Sequence, residues 1–245
     1  MNKPAPNPQS PASASNPAPS PQSPASASKP ASAFNSPQPP ATKSRTGILF
    51  VISAPSGAGK TSICRKILQT LPDLHQSISY TTRPMRDGEC DGADYHFVTT
   101  DVFQQMVSDG AFAEWAEVHG NCYGTARASL EKAAAAGADI LLDIDFQGAE
   151  QLRYSGLEGV FIFILPPGMD ELRRRLDARN TDDDQVIERR MRNAAGEISA
   201  AVKFDYLVVN DVLESAADTI MTIIKAENAR TRRMVETLPE EFGLK

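Results

Sequence analysis

The stretch Ile52–Thr61 reads ISAPSGAGKT, and it sets two glycines, a lysine and a threonine directly behind a run of apolar residues. That run, residues 47–52 (GILFVI), is typical of a buried parallel strand. Gly57 and Gly59 let the backbone bend tightly, so that successive N–H groups can face phosphate oxygens. A helix beginning near Lys60 would add the positive end of its dipole. The stretch therefore predicts a phosphate-binding loop between a strand and a helix.

The same loop predicts how a nucleoside triphosphate and a metal ion would be held. The pattern is G-x-x-x-x-G-K-[ST], in which Lys60 would reach the β- and γ-phosphates and the Thr61 hydroxyl would coordinate Mg²⁺. Ala54 stands where the first glycine is expected, so the backbone there must avoid the left-handed region or carry strain. A glycine-rich turn without a ligand is the alternative, and the amphipathic stretch 62–71 behind the loop argues against it. The residues predicted to bind ATP here are Ala54, Pro55, Ser56, Gly57, Ala58, Gly59, Lys60, Thr61 and Ser62.

Residues 1–43 differ in composition from the rest of this chain of 245 residues. They hold 12 of the 18 prolines, are otherwise mostly Ala, Ser, Asn and Gln, and contain no Val, Leu or Ile. So little apolar surface cannot offset the entropy lost when a chain is ordered. The composition predicts a disordered, partly polyproline-II tail, followed by a single domain over residues 44–245.

Charge and cysteine content exclude several classes of protein. The first 43 residues carry three lysines and no acid, so the rest holds 22 basic and 31 acidic residues, a net charge of −9. Such an acidic domain is a poor candidate for binding nucleic-acid backbones, and any polyanion site must be a local basic pocket. The sequence contains no run of 18 apolar residues, and its three cysteines form no C-x-x-C pair. We expect a reduced, cytoplasmic protein without a membrane span, a structural zinc site or a targeting segment.

Apolar strands and helical segments alternate along the domain, which predicts an α/β fold whose mainly parallel sheet has helices on both faces. The predicted strands are residues 48–53, 139–143, 160–165 and 206–209.

Three further segments of the domain have their own sequence patterns. Residues 77–124 alternate in the manner of strands, which predicts an inserted β-rich lobe. Two charged helices, at residues 169–180 and 184–202, are predicted to close over phosphates. An amphipathic C-terminal helix is predicted around residues 216–234, where it would pack on the core or join a subunit interface.

From Gly47 to the end, the sequence resembles the guanylate kinase family. Its loop matches the family form Gly-Pro-Ser-Gly-x-Gly-Lys-[Ser/Thr] except at Ala54, and the family's acceptor-site signature appears at residues 79–89 as SYTTRPMRDGE. Further matching blocks are GADYHF at 92–97, EWA at 114–116, NCYGT at 121–125 and LDIDFQG at 142–148. The resemblance implies a P-loop NTPase type three-layer sandwich with a central parallel sheet, an inserted lobe for a nucleoside monophosphate over residues 77–125 and a helical lid over residues 168–202.

The resemblance also implies that the inserted lobe binds GMP. Arg83 and Arg86 are permanently charged, bidentate donors that suit a dianionic phosphate, and the hydroxyls of Tyr95 and Tyr123 would add two more. The residues assigned to GMP in this way are Ser79, Arg83, Arg86, Glu89, Tyr95, Glu114, Tyr123, Thr125 and Asp145.

The chemistry of guanine agrees with part of that set. Guanine presents N1–H and N2–H donors beside an O6 acceptor, so Glu114 suits the donors, and the Ser79 and Thr125 hydroxyls suit O6. Adenine inverts the pattern and would leave these groups unpaired, which can give discrimination on the order of 10⁴ or more. Asp145 lies on the same side of the extended chain as Asp143 and resembles the family's additional guanine contact. Taken singly, each residue could belong to a turn or an exposed surface, and their joint spacing favours the site.

Phosphoryl transfer requires positive charge around the moving group, and the lid supplies arginines. Arg175 and Arg179 are four apart on one helix face, Arg190 follows an acidic turn, and the resemblance assigns all three to phosphate or adenine contacts. The predicted catalytic residues are Lys60, Arg83, Arg175, Arg179 and Arg190. The predicted ATP site also includes Arg175, Arg179 and Asn210, which resembles the family's adenine-side residue.

These residues predict an enzyme of purine nucleotide metabolism that transfers the γ-phosphate of Mg·ATP to GMP and dGMP. Mg²⁺ would be held by Thr61 and, through water, by Asp143. One alternative is a kinase for another nucleotide or small phosphorylated acceptor, against which Glu114 argues. Another is a scaffold domain of guanylate-kinase type that binds phosphopeptides, against which the loop argues, because its Gly57, Lys60 and Thr61 are present. ATP and GMP or dGMP are the predicted partners, and the sequence does not predict an oligomeric state.

Overall fold

The computed structural model describes residues 45–118, 120–178 and 184–244. The predicted tail over residues 1–43 lies outside the described residues, as does the predicted lid residue Arg179. In chain order the strands are β1 Leu49–Ser53, β2 Leu74–Gln76, β3 Tyr80–Thr81, β4 His96–Phe97, β5 Phe112–Val118, β6 Asn121–Ala126, β7 Asp139–Asp143, β8 Val160–Leu165 and β9 Tyr206–Val209. The helices are α1 Lys60–Thr70, α2 Thr100–Ser108, α3 Arg127–Ala135, α4 Phe146–Tyr154, α5 Met169–Asp177, α6 Asp184–Ala200, α7 Leu213–Asn228 and α8 Thr231–Thr237.

A five-stranded sheet forms the centre of the domain in the order β2-β7-β1-β8-β9, and all of its neighbouring strands are parallel. This confirms the predicted parallel sheet, and β7, β8 and β9 have the predicted bounds. The first strand begins at Leu49, one residue later than predicted. The sequence does not predict β2, because its three residues offer one apolar side chain, Leu74, and no periodicity.

Helices cover both faces of the sheet, because successive strand residues point to opposite sides. On one face, Phe50 and Ile52 of β1 pack in a buried cluster with residues of α1 and α7 such as Ile67 and Ile220. On the other face, Leu49 and Val51 pack in a cluster with Leu130 of α3 and Leu152 of α4. Burying each side chain of this size stabilises the folded state by about 1.5–3 kcal/mol. The two clusters fix β1, and with it the start of the loop that follows.

A second sheet, in the order β4-β3-β6-β5, forms in the region of the predicted inserted lobe and extends to Ala126, one residue past its expected end. Its β3 runs parallel to β4 and antiparallel to β6, which is antiparallel to β5. Helix α2 covers the sheet through Phe103, which is fully buried and stacks on Phe112 with ring centroids 4.6 Å apart. The alternating pattern at residues 77–124 therefore predicted the right kind of structure.

The predicted lid helices and the C-terminal helix are shorter than the sequence suggested. The first lid helix, α5, ends at Asp177, and α6 ends at Ala200 before one 3₁₀ turn at Ala201–Lys203. The single helix predicted around residues 216–234 is wrong: α7 and α8 are separated by Ala229 and Arg230. Arg230 has an extended backbone conformation, so the chain leaves the helix there, and its guanidinium binds the buried carboxylate of Glu227 at 2.6 Å.

None of the helices within the described residues is long and apolar enough to cross a membrane.

Candidate functional site

The loop predicted to bind phosphate connects β1 to α1 at the carboxyl edge of the sheet. Gly57 and Gly59 have φ angles of 93° and 94°, in the left-handed region that glycine tolerates. The N–H of Ala58 donates to the carbonyl of Pro55 at 3.0 Å and closes a turn. A Cβ atom at Gly57 would lie 2.9 Å from Leu176 of α5, so this helix packs directly on the loop. The loop and the first lid helix therefore form one packed unit.

The remaining loop residues differ in exposure. Ala54, Pro55 and Ala58 are buried, whereas Ser56, Thr61 and Ser62 are exposed.

Lys60 is held against the end of β7. Its Nζ forms an ion pair with the Asp143 carboxylate and donates to the carbonyl of Ile144 at 3.0 Å. The two charged side chains are 21% and 19% exposed. They meet where β1 and β7 end side by side, which is the edge where open α/β sheets bind ligands.

Thr61 and Asp143 could hold a magnesium ion. They offer a hydroxyl and a carboxylate oxygen, and hard oxygen donors of this kind are the ligands that Mg²⁺ takes. Two such groups leave most of six positions to phosphates and water. Among the described residues no group of three or more His, Cys, Asp or Glu side chains could hold a metal. The donor set therefore fits an ion that is bound together with a nucleotide.

Two of the three predicted lid arginines lie beside the loop. Arg190 of α6 places Nη1 3.5 Å from the hydroxyl oxygen of Ser56. Arg175 of α5 donates to the main-chain carbonyl of Asn210 at 3.1 Å and to Glu171 at 2.7 Å. The third, Arg179, lies outside the described residues.

Glu114, Thr125 and Ser79 form a polar cluster, in which Glu114 and Ser79 line a cavity of about 160 Å³. The Thr125 hydroxyl donates to Oε1 of Glu114 at 2.5 Å, and the Ser79 hydroxyl lies 3.4 Å from that of Thr125. Burial raises the pKa of Glu114 to about 7. Asp143 and Asp145 line the same cavity, so it opens toward the Lys60 ion pair. The structure thus brings together the four residues predicted to recognise guanine.

Residues of helix α4 and its N-cap, Asp145, hold this cluster in place. Asp145 caps the helix by accepting from the N–H of Gly148 at 2.8 Å. A Cβ atom at Gly148 would collide with Oε2 of Glu114, so the glycine is required for the close approach. The side-chain amide of Gln151 accepts from the backbone N–H of Trp115 at 3.1 Å and donates to the carbonyl of the same residue at 2.7 Å. These contacts fix β5 and the direction of the Glu114 side chain.

Arg83 is oriented by a bidentate pair with Glu89. Its Nη2 and Nη1 donate to the two carboxylate oxygens at 2.7 and 3.0 Å, and the pair holds the pKa of Glu89 below its usual value. The guanidinium also lies 5.4 Å from the ring centroid of Tyr95, whose ring contacts that of Tyr123 edge to face. The backbone N–H of Arg86 donates to Glu89 as well, while its side chain is exposed. Arg83, Tyr95 and Tyr123 therefore lie close to one another, and Glu89 holds the Arg83 guanidinium in place.

A larger cleft of about 780 Å³ joins the loop, the inserted lobe and α6. It includes residues that sequence analysis did not select, namely Gln147, Asn193 and Glu197. Burial, with a smaller effect of the Asp145 carboxylate, raises the pKa of Glu197 to about 7. Asn193 and Glu197 lie three and seven residues after Arg190, and this spacing on one helix face could have identified them.

Known proteins resemble this chain over most of its length. The family model described as guanylate kinase matches residues 46–227. A guanylate kinase of Syntrophotalea carbinolica is 60% identical over 190 residues, which cover 78% of this chain and 90% of that protein. One of Geobacter metallireducens is 52% identical over 202 residues, which cover 82% of this chain and 98% of that protein. The crystal structure of guanylate kinase from Anaplasma phagocytophilum superimposes with a TM-score of 0.63 at 39% identity, covering 78% of this chain and 91% of that one. Because the family model and the relatives span most of the chain, this protein belongs to the guanylate kinase family.

Proposed function

We propose that the protein transfers the γ-phosphate of Mg·ATP to GMP and dGMP, giving ADP and GDP or dGDP. The observation that carries the proposal is the position of Asp143. This carboxylate pairs with Lys60 of the phosphate loop and also lines the cavity of Glu114. A donor triphosphate on the loop and an acceptor nucleotide in the cavity would therefore meet at one point.

On the donor side, the loop N–H groups and Lys60 would bind the phosphates of ATP. Oriented N–H groups at a helix start suit an anion without a large rearrangement. Lys60 would exchange its pairing with Asp143 for the β- and γ-phosphates, and a carboxylate left in that way suits a divalent cation. Thr61 and Asp143 would hold Mg²⁺, whose contribution is to neutralise charge on the β- and γ-phosphate oxygens.

On the acceptor side, Glu114 would accept hydrogen bonds from N1–H and N2–H of guanine. Because Thr125 already donates to Glu114, the Ser79 hydroxyl is the group left to donate to O6. Asp145 lines the same cavity and would contact the base edge. Arg83, Arg86, Tyr95 and Tyr123 would hold the GMP phosphate, and Glu89 would act by orienting Arg83.

The transfer step would need little covalent chemistry from the protein. The acceptor phosphate oxygen is already a nucleophile, so no side chain has to remove a proton. Arg175, Arg179 and Arg190 would stabilise charge on the moving phosphoryl group, and closure of α6 would exclude water that could otherwise hydrolyse ATP. The reaction would serve purine nucleotide metabolism in the cytoplasm.

A coupled assay of ADP release tests the proposal, with Mg·ATP as donor and GMP, dGMP, AMP, UMP or CMP as separate acceptors. Turnover with GMP and dGMP alone is expected. Turnover with AMP, UMP or CMP would retain the kinase and overturn the assigned base site. No turnover with any acceptor, from folded protein, would overturn the catalytic proposal and favour a scaffold domain.

A further inference from the structure

Strands β5 and β6 shift their register by one residue directly before Glu114. Phe112 lies opposite Ala126 and Glu114 lies opposite Thr125, so Ala113 is an extra residue of β5 without a partner in β6. A bulge of this kind bends a strand locally and changes the direction of the side chains beside it. The carboxylate assigned to the base therefore follows immediately on an irregularity of its own strand.

The bulge changes which side chains of β5 share a face. Phe112 stacks on Phe103 of α2 with ring centroids 4.6 Å apart, and Trp115 approaches the same ring edge to face at 6.4 Å. Residues three apart point to opposite faces of a regular strand, so the extra residue is what places both rings on the α2 side. Glu114 lines the cavity instead. The bulge thus directs Glu114 away from the face that α2 covers.

Helix α4 holds β5 on both sides of Glu114. Before it, Ala113 is buried in a cluster with Leu152 of α4. After it, the Gln151 amide accepts from the N–H of Trp115 at 3.1 Å and donates to its carbonyl at 2.7 Å. Because β5 is the last strand in the order of its sheet, this side chain takes the place that a further strand would occupy.

We propose that Gln151 is a positioning residue for guanine recognition, which fixes β5 directly after the bulge so that Glu114 meets N1–H and N2–H of the base. The inference rests on the proposed function and deepens it, because selectivity then depends on how β5 is attached to α4 as well as on Glu114. Gln151 acts from outside the set of residues that line the cavity. Its loss should weaken the contacts with the base edge and spare those with the phosphate.

The experiment measures the dissociation constants of GMP and of inosine monophosphate by calorimetry. The second ligand has the same phosphate, ribose and O6 but lacks the 2-amino group, so the ratio of the two constants reports the hydrogen bond from that group to Glu114. Gln151→Met keeps the length of the side chain and loses both bonds to Trp115. In this variant the preference for GMP should fall by about three- to tenfold.

A second variant keeps the test open if Gln151→Met does not fold. Gln151→Glu retains an acceptor for the N–H of Trp115 and loses the donor to its carbonyl. The preference for GMP should fall in this variant too, and by a smaller factor. An unchanged preference in folded Gln151→Met, or in Gln151→Glu where only that variant folds, would overturn the proposal.

A matched control separates this effect from the loss of any glutamine side chain in the inserted lobe. Gln105 of α2 also donates through its side-chain amide, to Asp109 at 2.9 Å on the exposed surface. Gln105→Met should leave the preference for GMP unchanged. An equal fall in Gln105→Met would show that the effect is not specific to the attachment of β5 and would overturn the proposal.

The same measurement distinguishes failure of this inference from failure of the proposed function. A wild-type protein that binds inosine monophosphate as tightly as GMP would refute the assigned base site and the inference with it. A wild-type preference for GMP that persists in both Gln151 variants would refute the inference alone. The readout is binding, so neither result depends on turnover.

Discussion

Thr125 donates its hydroxyl to Glu114 over 2.5 Å, in a pocket where Glu114 is only 5% exposed. The hydrogen bond fixes one carboxylate oxygen and leaves the group unable to rotate toward solvent. A fixed, buried acceptor discriminates strongly, because a base that offers it no donor leaves it unpaired. Selectivity for guanine would therefore depend on this pair more than on the number of contacts to the base.

Replacing Glu114 with glutamine should remove the charge and turn one of the two acceptor oxygens into an N–H donor, while the volume of the side chain is kept. A hydrogen bond to a charged group would be lost and the new N–H donor would face a donor of guanine, so kcat/KM for GMP should fall by about 10² to 10⁴-fold. The KM for ATP should stay within about twofold, because the loop is not altered. Steady-state kinetics with each substrate varied in turn measure both effects. An equal change in the two KM values would contradict the assignment of Glu114 to the base.

The raised pKa of Glu114 predicts a pH dependence of GMP binding. Burial raises this pKa to about 7, and the base requires the ionised form, so GMP should bind more weakly as the pH falls below 7. The GMP phosphate also titrates, with a pKa of about 6, and Glu197 has a pKa raised to about 7. Glu114→Gln should abolish the component near pH 7, and Glu197→Gln should retain it. The reverse result would assign the titration to Glu197.

Glu89 is expected to act on GMP through Arg83. Without the bidentate carboxylate the guanidinium loses its fixed direction, so Glu89→Gln should raise the KM for GMP by about 10 to 100-fold and leave the KM for ATP unchanged. Glu188→Gln is a matched control, because Glu188 also pairs with an arginine, Arg173, at 2.5 Å on the surface. This control should leave both KM values unchanged. A normal KM for GMP in Glu89→Gln would mean that Arg83 is oriented by other groups.

Gly148 is expected to matter for GMP binding because it leaves room for the Glu114 carboxylate. Its own backbone conformation does not require glycine. An added methyl group would collide with the Glu114 carboxylate and displace it, so Gly148→Ala should raise the KM for GMP by roughly tenfold or more. Gly196 is also a helical glycine, and its added Cβ would have no neighbour within 4 Å. Gly196→Ala should keep the KM and stabilise the protein by about 0.5–1 kcal/mol. Equal behaviour of the two variants would refute this account of Gly148.

The sequence predicted the parts of the site that depend on local pattern. The loop glycines, Lys60 and the alternating strands of the inserted lobe are all short-range signals, and they predicted the phosphate loop and the second sheet. Other contacts join residues that are distant in sequence. They are the hydrogen bond from Thr125 to Glu114, the contact of Gly148 with Glu114 and the hydrogen bond from Asn210 to Ala58. No spacing rule predicts such contacts, because they depend on how helices and strands pack.

The tail is predicted to have little effect on catalysis. Its composition offers little apolar surface for fixed contacts, so deletion of residues 1–43 should change kcat by less than about twofold. The measurement compares the full chain and the truncated protein at saturating ATP and GMP. A large loss of activity in folded, truncated protein would show that the tail takes part in the reaction.

The most direct test of the central claim follows the label from ATP labelled in the γ-phosphate during a single turnover with GMP. The account predicts that the label appears in the β-phosphate of GDP in an amount equal to the ADP formed, because donor and acceptor would meet beside Asp143. Release of the label as inorganic phosphate, with GMP unchanged, would contradict it.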